Sequence, residues 1–208
     1  HYVERKPHAV KDSFTRIGRT LVNARKEKKI FLFLIAFFFY IDGVYTIIDM
    51  ATAYGSALGL DSTGLLLALL VTQLVAFPSA IIFGKLAKRF NTEKLILVCI
   101  SAYLFIAIFA IFLATQLQFW ILAVLVGMFQ GGVQALSRSY FAKIIPAEQA
   151  GEYFGLMDIC GKGAAFLGTT VVGVVTQITG SMSKGVGMIS VFFVIGIVFF
   201  NMAMKIDN

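Results

Sequence analysis

Charge is scarce in this chain: only 14% of its 208 residues are Asp, Glu, Lys or Arg, against about 25% in an ordinary soluble domain. Histidine and cysteine are scarcer still. The two histidines are His1 and His8, and the two cysteines, Cys99 and Cys160, each stand alone inside an apolar run. These absences exclude a disulfide scaffold and leave no His/Cys constellation for a metal. The plain reading of each thiol is a small buried apolar side chain. No G-x-x-x-x-G-K-[ST] string occurs, so no phosphate-cradling loop for ATP is expected, and no other cofactor is implied. There is no signal-peptide pattern, and because the first residue is His1 the chain is expected to be a piece of a longer protein.

What is abundant is hydrocarbon. Apolar residues make up 59% of the chain, 21 of them Phe, and the mean hydropathy is +0.86. A water-soluble fold of this composition would lack the polar surface to cover itself, and disorder is excluded for the same reason. The formal charge of +7 suggests nucleic acid, but its distribution does not. Nine bases (Arg5, Lys6, Lys11, Arg16, Arg19, Arg25, Lys26, Lys28 and Lys29) precede Ile30, and most others lie in gaps between apolar runs. That pattern fits the cytoplasmic loops of a membrane protein, with a lipid bilayer and no nucleic acid as partner.

Six apolar runs follow the basic segment 1–29: Ile30–Ala57, Thr63–Leu86, Leu95–Ala114, Phe119–Ile144, Gly151–Thr179 and Gly185–Met204. Each has about the 20 residues a helix needs to cross the hydrocarbon core. The predicted fold is therefore all-α, a six-helix integral membrane bundle over 30–208. Within 1–29, Phe14, Ile17, Leu21 and Ala24 recur at helical spacing after Ser13, which predicts either a short amphipathic helix on the membrane surface or a solvated linker. Gaps alternate in charge. Lys85, Lys88, Arg89 and Lys94 lie in 85–94, and Arg138 and Lys143 in 138–152, while 57–63 and 114–119 have no base and 180–185 has only Lys184. The positive-inside rule then puts both ends of the chain and both basic gaps in the cytoplasm. The membrane would be the plasma or inner membrane, or the vacuolar membrane in a eukaryote.

A single offset of 89 residues pairs Gly43 with Gly132, Val44 with Val133, Ala53 with Ala142, Leu67 with Leu156, Ala76-Phe77 with Ala165-Phe166 and Gly84 with Gly173. Two three-helix units, about 30–114 and 119–204, are expected. Three being odd, the second is inverted across the membrane, an arrangement that recurs in transporters.

Polar residues are unevenly shared among the spans. An ionised group at the bilayer centre costs roughly 2.5–3.5 kcal/mol on insertion scales. The third and sixth spans carry only Ser101, Tyr103, Ser190 and Asn201 and are expected to face lipid. In the first, Asp42, Tyr45, Thr46 and Asp49 fall at i, i+3, i+4 and i+7 on one face. Asp42 lies roughly 18 Å from Ile30 along the axis. Gln130, Gln134 and Arg138 form a second stripe on the fourth span. Gln73 is midway along the second, one turn before Pro78, where a kink is expected. The fifth carries Asp158 and Lys162, spaced for a helical ion pair, among the small residues Gly155, Gly161, Gly163 and Gly168. Asp42, Gln73, Gln130 and Lys162 are thus expected at one depth around a polar midplane cavity. There Asp42 or Asp158 would carry a coupling H+ or Na+ and Lys162 would meet an anionic group.

The segment Gly84-Lys85-Leu86-Ala87-Lys88-Arg89-Phe90-Asn91-Thr92-Glu93-Lys94 resembles the G-x-L-A-D-R-x-G-R-[RK] loop of the major facilitator superfamily. Gly84, Leu86, Ala87 and Arg89 match, Lys88 replaces the acid and Asn91 the second glycine. Longer strings are more specific: Asp42-Gly43-Val44-Tyr45 with Ala53-Tyr54-Gly55, Thr72-Gln73-Leu74-Val75-Ala76-Phe77-Pro78, and Gln130-Gly131-Gly132-Val133-Gln134-Ala135-Leu136-Ser137-Arg138-Ser139, then Tyr153-Phe154-Gly155 and Gly161-Lys162. Together they resemble the vacuole-effluxer-like family, also called the unknown major facilitator family, over about residues 30–204. The resemblance implies the C-terminal six-helix half of a twelve-helix secondary transporter, with 1–29 as its central linker and the N-terminal half as partner. It implies a gating loop of Gly84, Leu86 and Arg89, with Arg138 at the cytoplasmic end of the fourth span. A small polar metabolite, amino acids among the candidates, would cross by alternating access. A channel, a non-transporting sensor and an intramembrane enzyme are the alternatives; an enzyme would need a catalytic set at one depth, and no intramembrane His exists to join one.

Overall fold

The computed structural model describes residues 25–207 together with Gly18, Leu21 and Val22. Six long helices follow one another: α1 (Lys28–Ala57), α2 (Ser62–Leu86), α3 (Thr92–Ile111), α4 (Gln116–Ile144), α5 (Ala150–Thr179) and α6 (Met182–Met204), with short 3-10 turns at Ala147–Gln149 and Lys205–Asp207. No strand occurs among the described residues, and all six helices are long and apolar enough to cross a membrane. The fold is an all-α six-helix membrane bundle. Of the amphipathic segment expected before Ile30, Gly18, Leu21, Val22, Arg25 and Lys26 are helical and exposed; Phe14, Ile17, Ala24 and Ser13 lie outside the described residues.

Side-chain caps set several helix ends. Asp61 Oδ2 accepts from Gly64 N at 2.7 Å to start α2, and Asn91 Oδ1 accepts from Glu93 N at 2.8 Å to start α3. That cap opens α3 at Thr92, three residues ahead of the apolar run. Its far end also comes early, at Ile111: Ala114 N donates to Gln118 Oε1 at 2.8 Å, beside the capping box that opens α4, in which Thr115 N donates to the same oxygen at 3.1 Å and Gln118 N donates to Thr115 Oγ1 at 3.3 Å. The reversals after α1 and α5 use Gly59 (φ +75°) and Gly180 (φ +67°), a backbone region that glycine enters without a Cβ penalty. Helix α2 runs unbroken through Pro78.

Helices α1 and α6 form the most extensive pair after α2 and α4; α5 packs on α1, α3 on both α4 and α6, and α5 also on α6. Exchanging α1 with α4, α2 with α5 and α3 with α6 turns most of these pairs into one another, although α2 and α3 lack the contact that α5 makes with α6. In lipid the apolar exterior supplies no drive to associate, so close backbone approach and interhelical hydrogen bonds hold such pairs. Gly127 and Gly131 of α4 lie against the backbone carbonyls of Thr72 and Ala76 of α2. Thr72 Oγ1 donates to Ala123 O at 3.1 Å, and Ser79 Oγ donates to Met128 O across the same seam. Gly196 of α6 meets Tyr40 and Ala36 of α1, and Gly43 meets the Phe193 ring. At the Lys28 end, Phe33 stacks among Tyr140, Phe141 and Phe200, with ring centroids at 5.3, 5.4 and 6.0 Å. Each such pair adds about 0.5–1.5 kcal/mol beyond area burial.

Three of the sparse polar side chains of α3 and α6 bond locally or inward. Tyr103, fully buried, donates to Val126 O at 3.3 Å; Ser190 Oγ donates to Gly187 O and Asn201 Nδ2 to Ile197 O. Two helices are left least covered. On α2, Leu66, Leu70, Leu74, Phe77 and Ile81 are exposed, and on α5, Ile159, Phe166, Val174 and Ile178.

Candidate functional site: the polar faces of α1, α4 and α5

Counted along their helices from the Lys28, Leu86, Ile144 and Ala150 ends, Asp42, Gln73, Gln130 and Lys162 lie at about 18–21 Å. The four lie at similar distances along their helices, but their side chains divide into an enclosed group and an open one.

The enclosed group is built on α1 and α5. Asp42 and Thr46 are each 0% exposed. Asp42 Oδ1 accepts Gly168 N at 2.9 Å and Thr46 Oγ1 at 3.3 Å, while Oδ2 has no hydrogen-bond partner. Gly168 permits this approach, since a Cβ there would collide with Thr46 Oγ1 and Asp42 Oδ1. Asp42 forms no ion pair among the described residues, so the carboxyl's dependence on one amide, one hydroxyl and a second oxygen without a partner suits a group that exchanges a proton or small cation. Buried charge without a partner is otherwise costly.

The open group is charged. Asp158 does not pair with Lys162, four residues along its own helix. It accepts Arg138 Nη2 of α4 at 2.6 Å, with both side chains about half exposed (56% and 47%). The guanidinium projects across the space between α4 and α5, which otherwise scarcely touch, and takes the carboxylate that the helical spacing offered to Lys162. Arg138 thus belongs to α4, six residues from its end, and to this pair rather than to the loop. Lys162 is exposed and has no ion-pair partner among the described residues; Asp49 and Gln73 are exposed too. Tyr45, Gln130 and Gln134 are half-buried. Tyr45 lies within electrostatic reach of Arg138, Asp158 and Asp49, and Gln130 Oε1 is enclosed without a partner. Of the expected gating residues, Gly84 and Leu86 are in the last turn of α2, and Arg89 is exposed in the short connection to α3.

Beside the polar group, α1, α2 and α4, together with residues of α3 and α6, line an apolar cavity that includes Ile47, Leu69, Ile106, Val126 and Ile189, with Thr46 and Gln73 also on its wall. Two polar links escaped the sequence reading. Tyr40 Oη lies 2.6 Å from Ser137 Oγ, which itself donates to Val133 O at 2.5 Å, so the tyrosine is the donor and joins α1 to α4. Tyr54 Oη donates to Ala110 O at 2.7 Å and lies 3.0 Å from Ser183 Oγ, tying α1 to α3 and α6. Both tyrosines read as ordinary apolar-run residues; only their partners' positions reveal them. No group of three or more His, Cys, Asp or Glu able to hold a metal occurs among the described residues.

The sequence profile described as vacuole effluxer Atg22 like matches residues 2–208. Over 198 residues, 95% of the chain, the sequence is 50% identical to a protein of Bacillus subtilis (strain 168) described as the uncharacterized MFS-type transporter YxiO. It is 24% identical over 199 residues, 88% of the chain, to autophagy-related protein 22 of Coccidioides immitis (strain RS). The figures are 25% over 207 residues and 90% of the chain for autophagy-related protein 22 of Cryptococcus neoformans var. neoformans serotype D (strain JEC21). These matches cover 46%, 33% and 36% of the three proteins, so the chain spans half or less of the length of the curated relatives it matches.

Proposed function

The chain belongs to the vacuole effluxer Atg22 like family, and from that premise we propose that it is one six-helix half of a secondary transporter. A small polar metabolite, amino acids among the candidates, crosses between this half and an N-terminal six-helix half by alternating access. The relatives' descriptions as a transporter and the family's as an effluxer support transport rather than catalysis. The least covered helices, α2 and α5, supply the face for the other half. The exchange of α1–α3 with α4–α6 in the packing supports two inverted units. Segment 1–29 serves as the linker, and the basic gaps favour a cytoplasmic position for both ends of the chain.

One observation carries the reading. Four ionisable side chains from three membrane-crossing helices (Asp49, Arg138, Asp158 and Lys162) are exposed away from the helix ends, while on α3 and α6 the exposed ionisable residues, Lys94 and Lys184, lie in the first turn. Charges inside a membrane line water-filled paths or meet one another. In this reading Lys162 receives an anionic group of the substrate, Arg138 and Asp158 hold the cytoplasmic side of the path together, and Asp42 carries the coupling H+ or Na+. Release of the Asp42 carboxylate from Gly168 N frees α5 to move against α1.

The test is reconstitution of the full-length protein in liposomes, with a panel of small metabolites screened by counterflow. Asp42→Asn and Lys162→Ala are expected to insert normally and to lose at least about 90% of counterflow, the order of effect expected when a site loses a charged hydrogen-bonding group. Wild-type rates in both variants would refute the assignment.

A further inference from the structure

Asp42 is fully buried where α1 meets α5, and its surroundings decide which ion the carboxyl can take. A sodium ion has to exchange its water for several oxygens at once, and transporters commonly supply these as carbonyls of unwound helix segments. Here α1 is unbroken from Lys28 to Ala57 and α5 from Ala150 to Thr179, so the carbonyls on both sides of the contact are spent on helical bonds. The side-chain oxygens that meet there are the two of Asp42 and Thr46 Oγ1. Oδ1 already accepts Gly168 N at 2.9 Å and Thr46 Oγ1 at 3.3 Å, and the fit is too close for even a Cβ on Gly168. The positive end of the amide, turned toward the carboxyl, also repels a cation from that side. Thr46 lines the apolar cavity, and a metal ion arriving from there would lose water without gaining oxygens. Oδ2 is left, buried and without a hydrogen-bond partner. One oxygen is enough for a proton and too few for a metal ion.

Resting on the reading of Asp42 as the coupling residue, we propose that the coupled ion is H+, that Asp42 Oδ2 takes it, and that Na+ does not compete for the site. The step is a protonation: a proton from water bonds to Oδ2, the carboxylate becomes a neutral acid, and Oδ1 keeps both of its donors in either state. Gly168 and Thr46 are positioning residues, because their two bonds make Oδ1 the carbonyl oxygen of the acid and leave Oδ2 for the proton. The titratable groups on the packed helices are Tyr45 and Asp49 of α1, Asp158 and Lys162 of α5, Arg138 of α4, Lys184 in the first turn of α6, and Tyr103 of α3, whose hydroxyl donates to Val126 O. Lys162 and Asp158 lie six and ten residues before Gly168, about 9 and 15 Å along α5, and Asp158 holds Arg138. None of these groups bonds to Asp42, whose partners are Gly168 N and Thr46 Oγ1.

The test reads Asp42 directly, by infrared difference spectroscopy of the full-length protein in liposomes, titrated in sodium chloride and in choline chloride of equal ionic strength. A carbonyl band of a protonated carboxyl is expected that disappears as pH rises, is absent from Asp42→Asn and titrates at the same pH in both salts. Thr46→Val keeps the side-chain shape and removes one donor to Oδ1. It is expected to move the band to higher frequency, and it identifies the band if Asp42→Asn folds poorly. For any metabolite that shows counterflow, a pH gradient at equal sodium should drive accumulation and a sodium gradient at equal pH should not. A titration midpoint that moves with sodium overturns the proposal. So does a carboxyl band that neither variant changes, or accumulation driven by sodium alone. Absence of counterflow for every metabolite would instead strike the transporter reading, while the titration would still show which ion Asp42 takes.

Discussion

Gly168→Ala is the substitution whose outcome the α1–α5 contact fixes most tightly. The added methyl has to occupy space now held by Thr46 Oγ1 and Asp42 Oδ1. Either α5 backs away from α1 or both polar side chains rotate, and in both cases the 2.9 Å bond from Gly168 N to Asp42 is lost. Overpacking of this kind costs about 1–3 kcal/mol, and a hydrogen bond to a carboxylate about 1.5–3 kcal/mol. Helix propensity opposes these by about 1 kcal/mol in favour of alanine. The net expectation is a loss of about 2–4 kcal/mol, if the bond to Asp42 is charge-assisted in the resting state. Gly173→Ala is the matched control: it lies on the same helix, and a Cβ there meets nothing within 4 Å. It should leave stability within about 0.5 kcal/mol or raise it slightly. The assay is reversible unfolding of the full-length protein in mixed micelles, read as the shift in denaturant midpoint at constant slope. Equal midpoints for the two variants would show that α5 does not seat on α1 through Gly168.

Tyr40→Phe removes the donor to Ser137 but leaves Ser137 its own bond to Val133 O; a loss of about 0.5–1.5 kcal/mol is expected in the same unfolding assay. Asp158→Asn is expected to change stability by less than about 1 kcal/mol, because the Arg138 pair is half exposed and screened. The same variant should nonetheless slow counterflow severalfold, since the pair bridges α4 and α5 across the path; unchanged flux together with a large stability loss would make it a structural bridge instead.

The six helices were legible because length and hydropathy alone decide whether a segment can cross a bilayer, and the spans from Ile30, Thr63 and Phe119 begin within three residues of α1, α2 and α4. The limits of α3 were less so: Asn91 and Gln118 act through side-chain bonds that no hydropathy window sees. Distance along the helix was legible for Asp42, Gln73, Gln130 and Lys162, because rise per residue is constant. Direction was not. Whether a polar residue near a helix flank turns into a seam or outward depends on the neighbouring helix, so Asp42 turned toward Gly168 while Lys162 stayed open. The partner of Asp158 was hidden for a related reason. Sequence spacing ranks contacts within one helix, and Arg138 arrives from another. Tight seams such as Gly127 and Gly131 against α2 also needed coordinates, since small residues are common along every span.

The most direct measurement is labelling by a membrane-impermeant maleimide in vesicles, on a full-length background with Cys99 and Cys160 replaced by Ser. Single cysteines are placed at Lys162 and Gln73 on the open polar face and at Val98 and Val194, exposed on α3 and α6. The account predicts that positions 162 and 73 react from one side of the membrane and are protected by transported substrate, while 98 and 194 stay unlabelled. Reaction at 162 no faster than at 98, from either side and in every condition, would contradict it.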